Sequence, residues 1–112
     1  MAEKKTIIDE FGVIFDANKI LPDKKLKLQF LEALAELQNN ECYKIGSFPK
    51  TNLHRVKGYK QPVYRAYVDK ISGWRIHLQL KNDGMLHLRD IIVAKKHDKT
   101  IKVVESKRYR YS

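Results

Sequence analysis

The segment SGWRIHLQLKNDGMLHLRD, residues 72–90, alternates apolar and polar side chains on both sides of the turn Asn82-Asp83-Gly84. Residues two apart on a β-strand point to the same side of the sheet, so each parity of this segment defines one face. The segment therefore predicts an antiparallel hairpin with one face in a core. The apolar parity consists of Trp74, Ile76, Leu78, Leu80, Leu86 and Leu88.

The turn also predicts which residues face each other. A three-residue loop with Gly84 at its left-handed position sets Leu80 opposite Leu86. The same register pairs Leu78 with Leu88, Gln79 with His87 and His77 with Arg89. In the preceding hairpin, a loop over residues 69–73 pairs Val68 with Trp74, Tyr67 with Arg75 and Arg65 with His77. The polar parity then gathers six side chains on one face: Arg65, Tyr67, Arg75, His77, His87 and Arg89.

The rest of the chain predicts a single α+β domain over residues 1–112. An apolar repeat of 3.6 residues predicts a helix from about 22 to 39, and residues 6–15 suggest a short strand or hairpin-like entry. Residues 41–62, punctuated by Gly and Pro, read as a long connection. Strands are expected at about 63–69, 73–80, 85–94 and 100–105, and the basic tail, about 106–112, is too polar for a core.

The expected fold is one N-terminal helix packed on a twisted, mainly antiparallel sheet of four or five strands. Its core should be formed by the apolar parity of the strands and the apolar stripe of the helix. The residues expected there are Tyr64, Ala66, Val68, Trp74, Ile76, Leu78, Leu86, Leu88, Ile92, Phe30, Leu34 and Leu37.

The composition points to a polyanionic partner. The formal net charge is +10, and the excess of basic residues begins at Lys44. Such a field attracts nucleic acid, an anionic membrane or an acidic protein, although a basic surface can also serve solubility alone. The chain has one cysteine, Cys42, and no apolar run of the roughly 20 residues that span a bilayer. Both features favour a cytoplasmic protein without a membrane partner.

The polar parity suits single-stranded RNA. Neighbouring cations on a sheet repel one another unless solvent or a ligand compensates, and a phosphate backbone would do so. Arginine offers forked donors to phosphate, tyrosine a stacking surface, and histidine a proton donor or acceptor. The alternative is a solvated sheet face that is merely basic.

Several chemistries lack their usual signatures. His54, His77, His87 and His97 show none of the spacings typical of a metal site. No glycine-rich nucleotide-binding loop and no serine nucleophile motif occurs. We therefore expect no metal and no cofactor.

Between about Asn52 and Lys96 the chain resembles the RelE/ParE toxin superfamily of toxin–antitoxin systems. The resemblance rests on NLHRVKG, on VYRAYV as a first strand, on the aromatic-Arg pair of GWRIHLQL, on the acidic-Gly turn and on IIVAKKHD. It implies a small α+β domain whose sheet binds mRNA in the ribosomal decoding site. It further implies that a ribose 2′-hydroxyl attacks the adjacent phosphate without a cofactor.

The resemblance also implies roles for individual residues. Arg75 matches the arginine expected to stabilise charge on the phosphate, with Lys95 or Lys96 at a second basic position. His77, His87 or His97 would be the general acid or base, since imidazole titrates near neutrality. RNA contacts are expected from Lys57, Arg65, Tyr67 and Arg89.

The chain departs from the superfamily pattern in two places. The superfamily usually has two N-terminal helices, whereas this sequence indicates one. Several active members end in a tyrosine, or a histidine and a tyrosine, shortly after the last strand. Here His97 comes early, and Tyr109 and Tyr111 come late.

The superfamily includes members without nuclease activity, so a non-catalytic module that binds nucleic acid or a protein is the alternative function. A toxin implies an acidic antitoxin-like partner. That partner is expected to cover part of the surface of Arg65, Arg75 and Arg89, or to displace the tail 106–112 from it.

Overall fold

The protein is an α+β domain with helices packed on one mixed sheet. A computed structural model describes residues 5–56, 62–92 and 108–111. The strands are β1 (Ile7–Ile8), β2 (His54–Arg55), β3 (Tyr64–Asp69), β4 (Trp74–Leu80) and β5 (Leu86–Ile92). The described helices are α1 (Val13–Ile20), α2 (Lys24–Gln38), α3 (Asn40–Ile45) and α4 (Arg108–Tyr111).

The sheet has the order β1-β5-β4-β3-β2. Strands β2 to β5 pair antiparallel, and β1 joins the edge of β5 in parallel. The predicted strands at 63–69, 73–80 and 85–94 correspond to β3, β4 and β5 within the described residues. The strand predicted at 100–105 lies outside them.

Helix α2 confirms the helix predicted over 22–39. Asp23 has extended backbone, and its side chain accepts a hydrogen bond of 2.8 Å from the Leu26 N–H, which caps the first turn. The buried positions recur with the helical period and face the sheet. They are Leu26, Phe30, Ala33, Leu34 and Leu37.

A second N-terminal helix, α1, shows that the expectation of a single helix was wrong. Only Ile7 and Ile8 of the segment 6–15 are extended. The Asp9 carboxylate accepts hydrogen bonds from the N–H groups of Val13 at 2.7 Å and Ile14 at 2.9 Å, so it starts a helix where the β-branched composition suggested a strand.

The connection predicted over 41–62 is also more structured than its sequence suggests. It contains α3, which ends at Gly46 in the left-handed conformation, and the two-residue strand β2. Glu36 of α2 fastens this connection, because its carboxylate accepts hydrogen bonds from Lys50 N–H and from both the N–H and the hydroxyl of Thr51. The Thr51 carbonyl in turn accepts from the Tyr67 N–H at 2.7 Å.

Most of the predicted register is confirmed. Gly84 has a φ of 76°, and the pairs Leu80–Leu86, Gln79–His87 and Leu78–Leu88 all occur. Between β3 and β4, Arg65 lies opposite His77, and Tyr67 lies opposite Arg75, as predicted.

Two irregularities change the remaining pairs. A shift after Tyr67 places Asp69, rather than Val68, opposite Trp74. A second shift leaves Arg89 as an extra residue, so Asp90 lies opposite His77. An inserted residue reverses the parity of the strand beyond it. The core residue near the end of β5 is therefore Ile91, at 7% exposure, and not the predicted Ile92.

The core lies between the sheet and helices α1 and α2. Of the predicted core residues, Tyr64 and Trp74 are half-buried against this cluster, and nine are buried in it: Phe30, Leu34, Leu37, Ala66, Val68, Ile76, Leu78, Leu86 and Leu88. Val13 and Ala17 of α1 also belong to it. Among the described residues, no helix combines the length and apolar character needed to cross a membrane.

The core assignment predicts contrasting effects of two substitutions in α2. Leu37 is fully buried, so Leu37→Ala should lower the free energy of unfolding by about 2–5 kcal/mol. Leu28 is 59% exposed, so Leu28→Ala should change it by about 0.5 kcal/mol or less. Urea denaturation of both variants measures the difference, and equal losses would contradict the packing of α2.

Candidate nucleic-acid interface

The second face of the sheet, here called the polar face, lies opposite α1 and α2. The pairings place one parity of β3 and β4 on it, while the other parity packs in the core. Its side chains are Arg65, Tyr67, Arg75, His77, Gln79, His87, Arg89 and Asp90. All six residues predicted for a basic face therefore share one side of the sheet.

Helix α4 covers one end of the polar face. Tyr111 is 1% exposed and packs beside Val63. Its hydroxyl lies 2.7 Å from Nδ1 of His77, and its carbonyl accepts a hydrogen bond of 3.0 Å from Nε2 of Gln79. The prediction that the tail is too polar for a core was therefore wrong. A tyrosine buries its ring while its hydroxyl takes a polar partner, which suits it to a polar sheet face.

Arg89 lies beneath this cover and not on an open surface. It is 2% exposed, and its Nε donates a hydrogen bond of 2.6 Å to Oε1 of Gln79. Burial lowers the pKa of Arg89, while the carboxylate of Glu10, 3.9 Å away, acts in the opposite direction. The expectation that Arg89 is presented to RNA does not fit this burial, because its guanidinium already has partners within the chain.

A group of cations and aromatic rings fastens α4 to the edge of the sheet. The guanidinium carbons of Arg89 and Arg110 lie 5.6 and 5.4 Å from the ring centroid of Phe11. Tyr109 meets the same ring edge-on at 5.8 Å. These distances are typical of cation–π and aromatic pairs, so Phe11 ties α4 to the connection between β1 and α1.

Arg110 makes polar contacts with β5 as well. It donates to the Arg89 carbonyl at 3.1 Å and lies 3.4 Å from the Asp90 carboxylate. Burial opposes the charge of Arg110, but its hydrogen bond to the Tyr109 hydroxyl and the charge of Asp90 outweigh that effect and raise its pKa. The cation therefore stays charged where it pairs with β5.

The two histidines predicted on this face are not brought together. His77 is 1% exposed beneath Tyr111. His87 lies toward the turn, with Nε2 2.9 Å from the Asp83 carboxylate. The hydrogen bond from the Met85 N–H and the contact with His87 lower the pKa of Asp83. Both imidazoles thus have partners within the chain, although His77 lies on the same face as Arg75, two residues along β4, and directly opposite Arg65.

The other end of the polar face, here called the open half, carries Arg65, Tyr67 and Arg75. All three side chains are half-buried. The guanidinium carbon of Arg65 lies 5.8 Å from the Tyr67 ring centroid, and Tyr67 is directly opposite Arg75. Nε of each arginine is buried and has no hydrogen-bond partner among the described residues. Buried donors of this kind are uncommon, and an incoming acceptor would satisfy them.

Strand β2 adds a residue that the sequence reasoning left out. His54 lies opposite Arg65, and its ring is 6.4 Å from that of Tyr67. The segment was interpreted as a loop because two extended residues are too few to give an alternating pattern. The one available signal was Leu53, which packs on the core and so directs the next side chain to the polar face.

The remaining predicted site residues, Lys57, Lys95, Lys96 and His97, lie outside the described residues. Within residues 5–56, 62–92 and 108–111, no group of three or more His, Cys, Asp or Glu side chains is placed to hold a metal ion. The chemistry of the described face therefore depends on arginine, tyrosine and histidine.

Comparison with protein-family models, with curated proteins and with solved structures gave no match to this chain. The resemblance to the RelE/ParE superfamily therefore stays a prediction from the sequence motifs.

The contact between Tyr111 and His77 predicts a stability difference between two conservative variants. Tyr111→Phe removes a buried hydroxyl from His77 and should lower the free energy of unfolding by about 1–3 kcal/mol. Tyr109 is 64% exposed, so Tyr109→Phe should cost about 0.5 kcal/mol or less. Chemical denaturation of the two variants makes the comparison. Equal stabilities would mean that α4 does not hold the polar face.

Proposed function

We propose that the open half binds single-stranded RNA and that the protein is a toxin-like, ribosome-associated mRNA endoribonuclease. The observation that carries the proposal is the placement of two arginines beside Tyr67, with Arg65 two residues away along β3 and Arg75 opposite on β4. Their two buried Nε donors lack acceptors among the described residues. A phosphate is the natural acceptor for such donors.

The arrangement offers RNA two kinds of contact. The ring of Tyr67 can stack on a base, which contributes about 1–3 kcal/mol per base in proteins that bind single strands. Arg65 and Arg75 can then contact the phosphates on each side of that base. The net charge of +10 adds a long-range attraction for polyanions. Stacking and phosphate contacts of this kind bind a strand without specifying its sequence.

Cleavage would follow the chemistry that the resemblance implies. The ribose 2′-oxygen forms a bond to the adjacent phosphorus, the bond from phosphorus to the 5′-oxygen breaks, and a 2′,3′-cyclic phosphate remains. Arg75 would stabilise the charge that develops on the phosphate oxygens. The two N-terminal helices, packed on a mainly antiparallel sheet, remove one departure from the superfamily pattern and support the proposal.

A non-catalytic RNA-binding module is the second candidate, and the position of α4 favours it. His77, a predicted general acid or base, is buried beneath Tyr111. His87 contacts Asp83 at the far end of the face. If neither of these histidines takes a proton from RNA, the open half would bind RNA and leave it intact.

An acidic antitoxin-like partner is part of the proposal. Arg65 and Arg75 are accessible to a carboxylate-rich segment, whereas Arg89 becomes accessible only when α4 leaves the polar face. Such a segment would compete with RNA for the open half. Opposite charges would speed its association, and apolar contacts would supply most of the affinity.

The binding part of the proposal predicts a salt-dependent loss in one arginine variant. Arg75→Gln should weaken binding of a fluorescent single-stranded RNA and reduce the slope of log K against log salt by about 1, because one phosphate contact is lost. Lys81→Gln removes the same charge from the exposed β4–β5 turn and should leave the slope unchanged. Fluorescence anisotropy over a salt series measures both. Equal slopes in the two variants would contradict an RNA contact by Arg75.

The catalytic part predicts growth arrest on induced expression in bacteria. Translation should fall, cleaved mRNA should carry 2′,3′-cyclic phosphate ends, and Arg75→Ala should relieve both effects at equal protein level. RNA binding with intact mRNA and normal translation would support the non-catalytic module instead.

A further inference from the structure

The open half contains an imidazole whose orientation is fixed by the backbone. His54 sits on the edge strand β2, directly opposite Arg65. Its Nδ1 lies 2.8 Å from the carbonyl oxygen of Asn52. A carbonyl oxygen can only accept a hydrogen bond, so Nδ1 carries the proton in this contact. In the neutral ring the lone pair then belongs to Nε2.

The local backbone holds this arrangement in place. Asn52 has a φ of 47°, the left-handed conformation that asparagine tolerates better than most residues. Its N–H donates to the Phe48 carbonyl at 2.8 Å, and the N–H of the neighbouring Thr51 donates to the Glu36 carboxylate. The carbonyl that orients His54 is therefore anchored through the connection to helix α2.

His54 lies where the proposed reaction needs a base. The titratable and charged groups that face it are Arg65 and Tyr67 of β3, followed on β4 by His77, opposite Arg65, and by Arg75, opposite Tyr67. Within the part of the chain that the structure describes, Nδ1 contacts the Asn52 carbonyl, and the side chain is half-buried. A strand stacked on Tyr67 and held by Arg65 and Arg75 would pass next to Nε2.

We propose that His54 is the general base of the RNA cleavage, an inference that rests on the proposed function. Nε2 takes the proton of the ribose 2′-hydroxyl as the 2′-oxygen bonds to phosphorus. The 5′-oxygen leaves with the electron pair of its broken bond and takes a proton from water. No oxidant, reductant or metal enters this balance, and Arg75 stabilises the charge on the phosphate.

The test uses the full chain in a cell-free translation reaction with a defined mRNA. His54→Gln keeps a polar side chain without a basic nitrogen and should slow cleavage roughly 10²- to 10⁴-fold, a general-base effect. His54→Asn, whose amide can still donate to the Asn52 carbonyl, should be slowed equally. Arg55→Gln is the matched control, because the neighbouring side chain of Arg55 points away from the polar face. This variant should cleave the mRNA as the unchanged protein does.

Three further measurements separate a catalytic role from a structural one. Added imidazole should restore cleavage by His54→Ala, because it supplies the missing proton acceptor. RNA affinity should be nearly the same in His54→Gln. Independently of activity, nitrogen NMR should show the Nδ1–H tautomer for His54 and a shift of Nε2 when a 2′-deoxy oligonucleotide binds.

The outcomes distinguish this inference from the proposed function. If the unchanged protein cleaves mRNA and the His54 variants cleave equally well, the role of His54 is overturned while the nuclease stands. If the unchanged protein binds RNA and leaves all mRNA intact, both cleavage and the role of His54 are overturned, and RNA binding stands. Loss of cleavage in both His54 variants with retained affinity supports the inference.

Discussion

The central strand β4 is buried on both faces, although one of its faces is polar. The rest of the structure depends on how the buried polar side chains of that face obtain hydrogen-bond partners. On the apolar side, Ile76 and Leu78 pack against the helices. On the other, Tyr111 brings a hydroxyl, a carbonyl and an aromatic ring to the buried side chains of His77 and Gln79. A buried polar group without such partners would cost about 1–3 kcal/mol, so the short C-terminal helix is an integral part of the fold.

This requirement divides the polar face into two ends with different properties. Beneath α4, the arginine and histidine side chains already have partners, and Arg89 is bound to Gln79 and packed on Phe11. Beyond α4, Arg65 and Arg75 retain donors without acceptors in the described part of the chain. A basic composition alone would make both ends equivalent. Under our proposal, these donors are the groups of the described face that phosphates would bind, and the same end holds the oriented imidazole of His54.

Features set by local sequence rules could be predicted, and those set by distant contacts could not. The Gly84 turn and strict alternation predict the registers around it, and the Asp23 cap with its apolar stripe predicts α2. Helix α1 was not predicted, because the β-branched residues around it suggest a strand. Its first turn is capped by the carboxylate of Asp9, four residues before Val13. The bulge at Arg89 leaves no local sign, so Ile92 was placed in the core instead of Ile91. The burial of Tyr111 and the position of His54 depend on residues far away in sequence.

The central claim is that RNA engages the open half and not the half beneath α4. The Nε–H resonances of three arginines test this claim directly. The Nε atoms of Arg65 and Arg75 are buried, and the Nε of Arg89 is hydrogen-bonded to Gln79. Titration of isotope-labelled protein with a short single-stranded RNA should shift the Nε–H signals of Arg65 and Arg75 and leave that of Arg89 in place. A shift of Arg89 as large as those of Arg65 and Arg75, or no shift in any of them, would contradict the account.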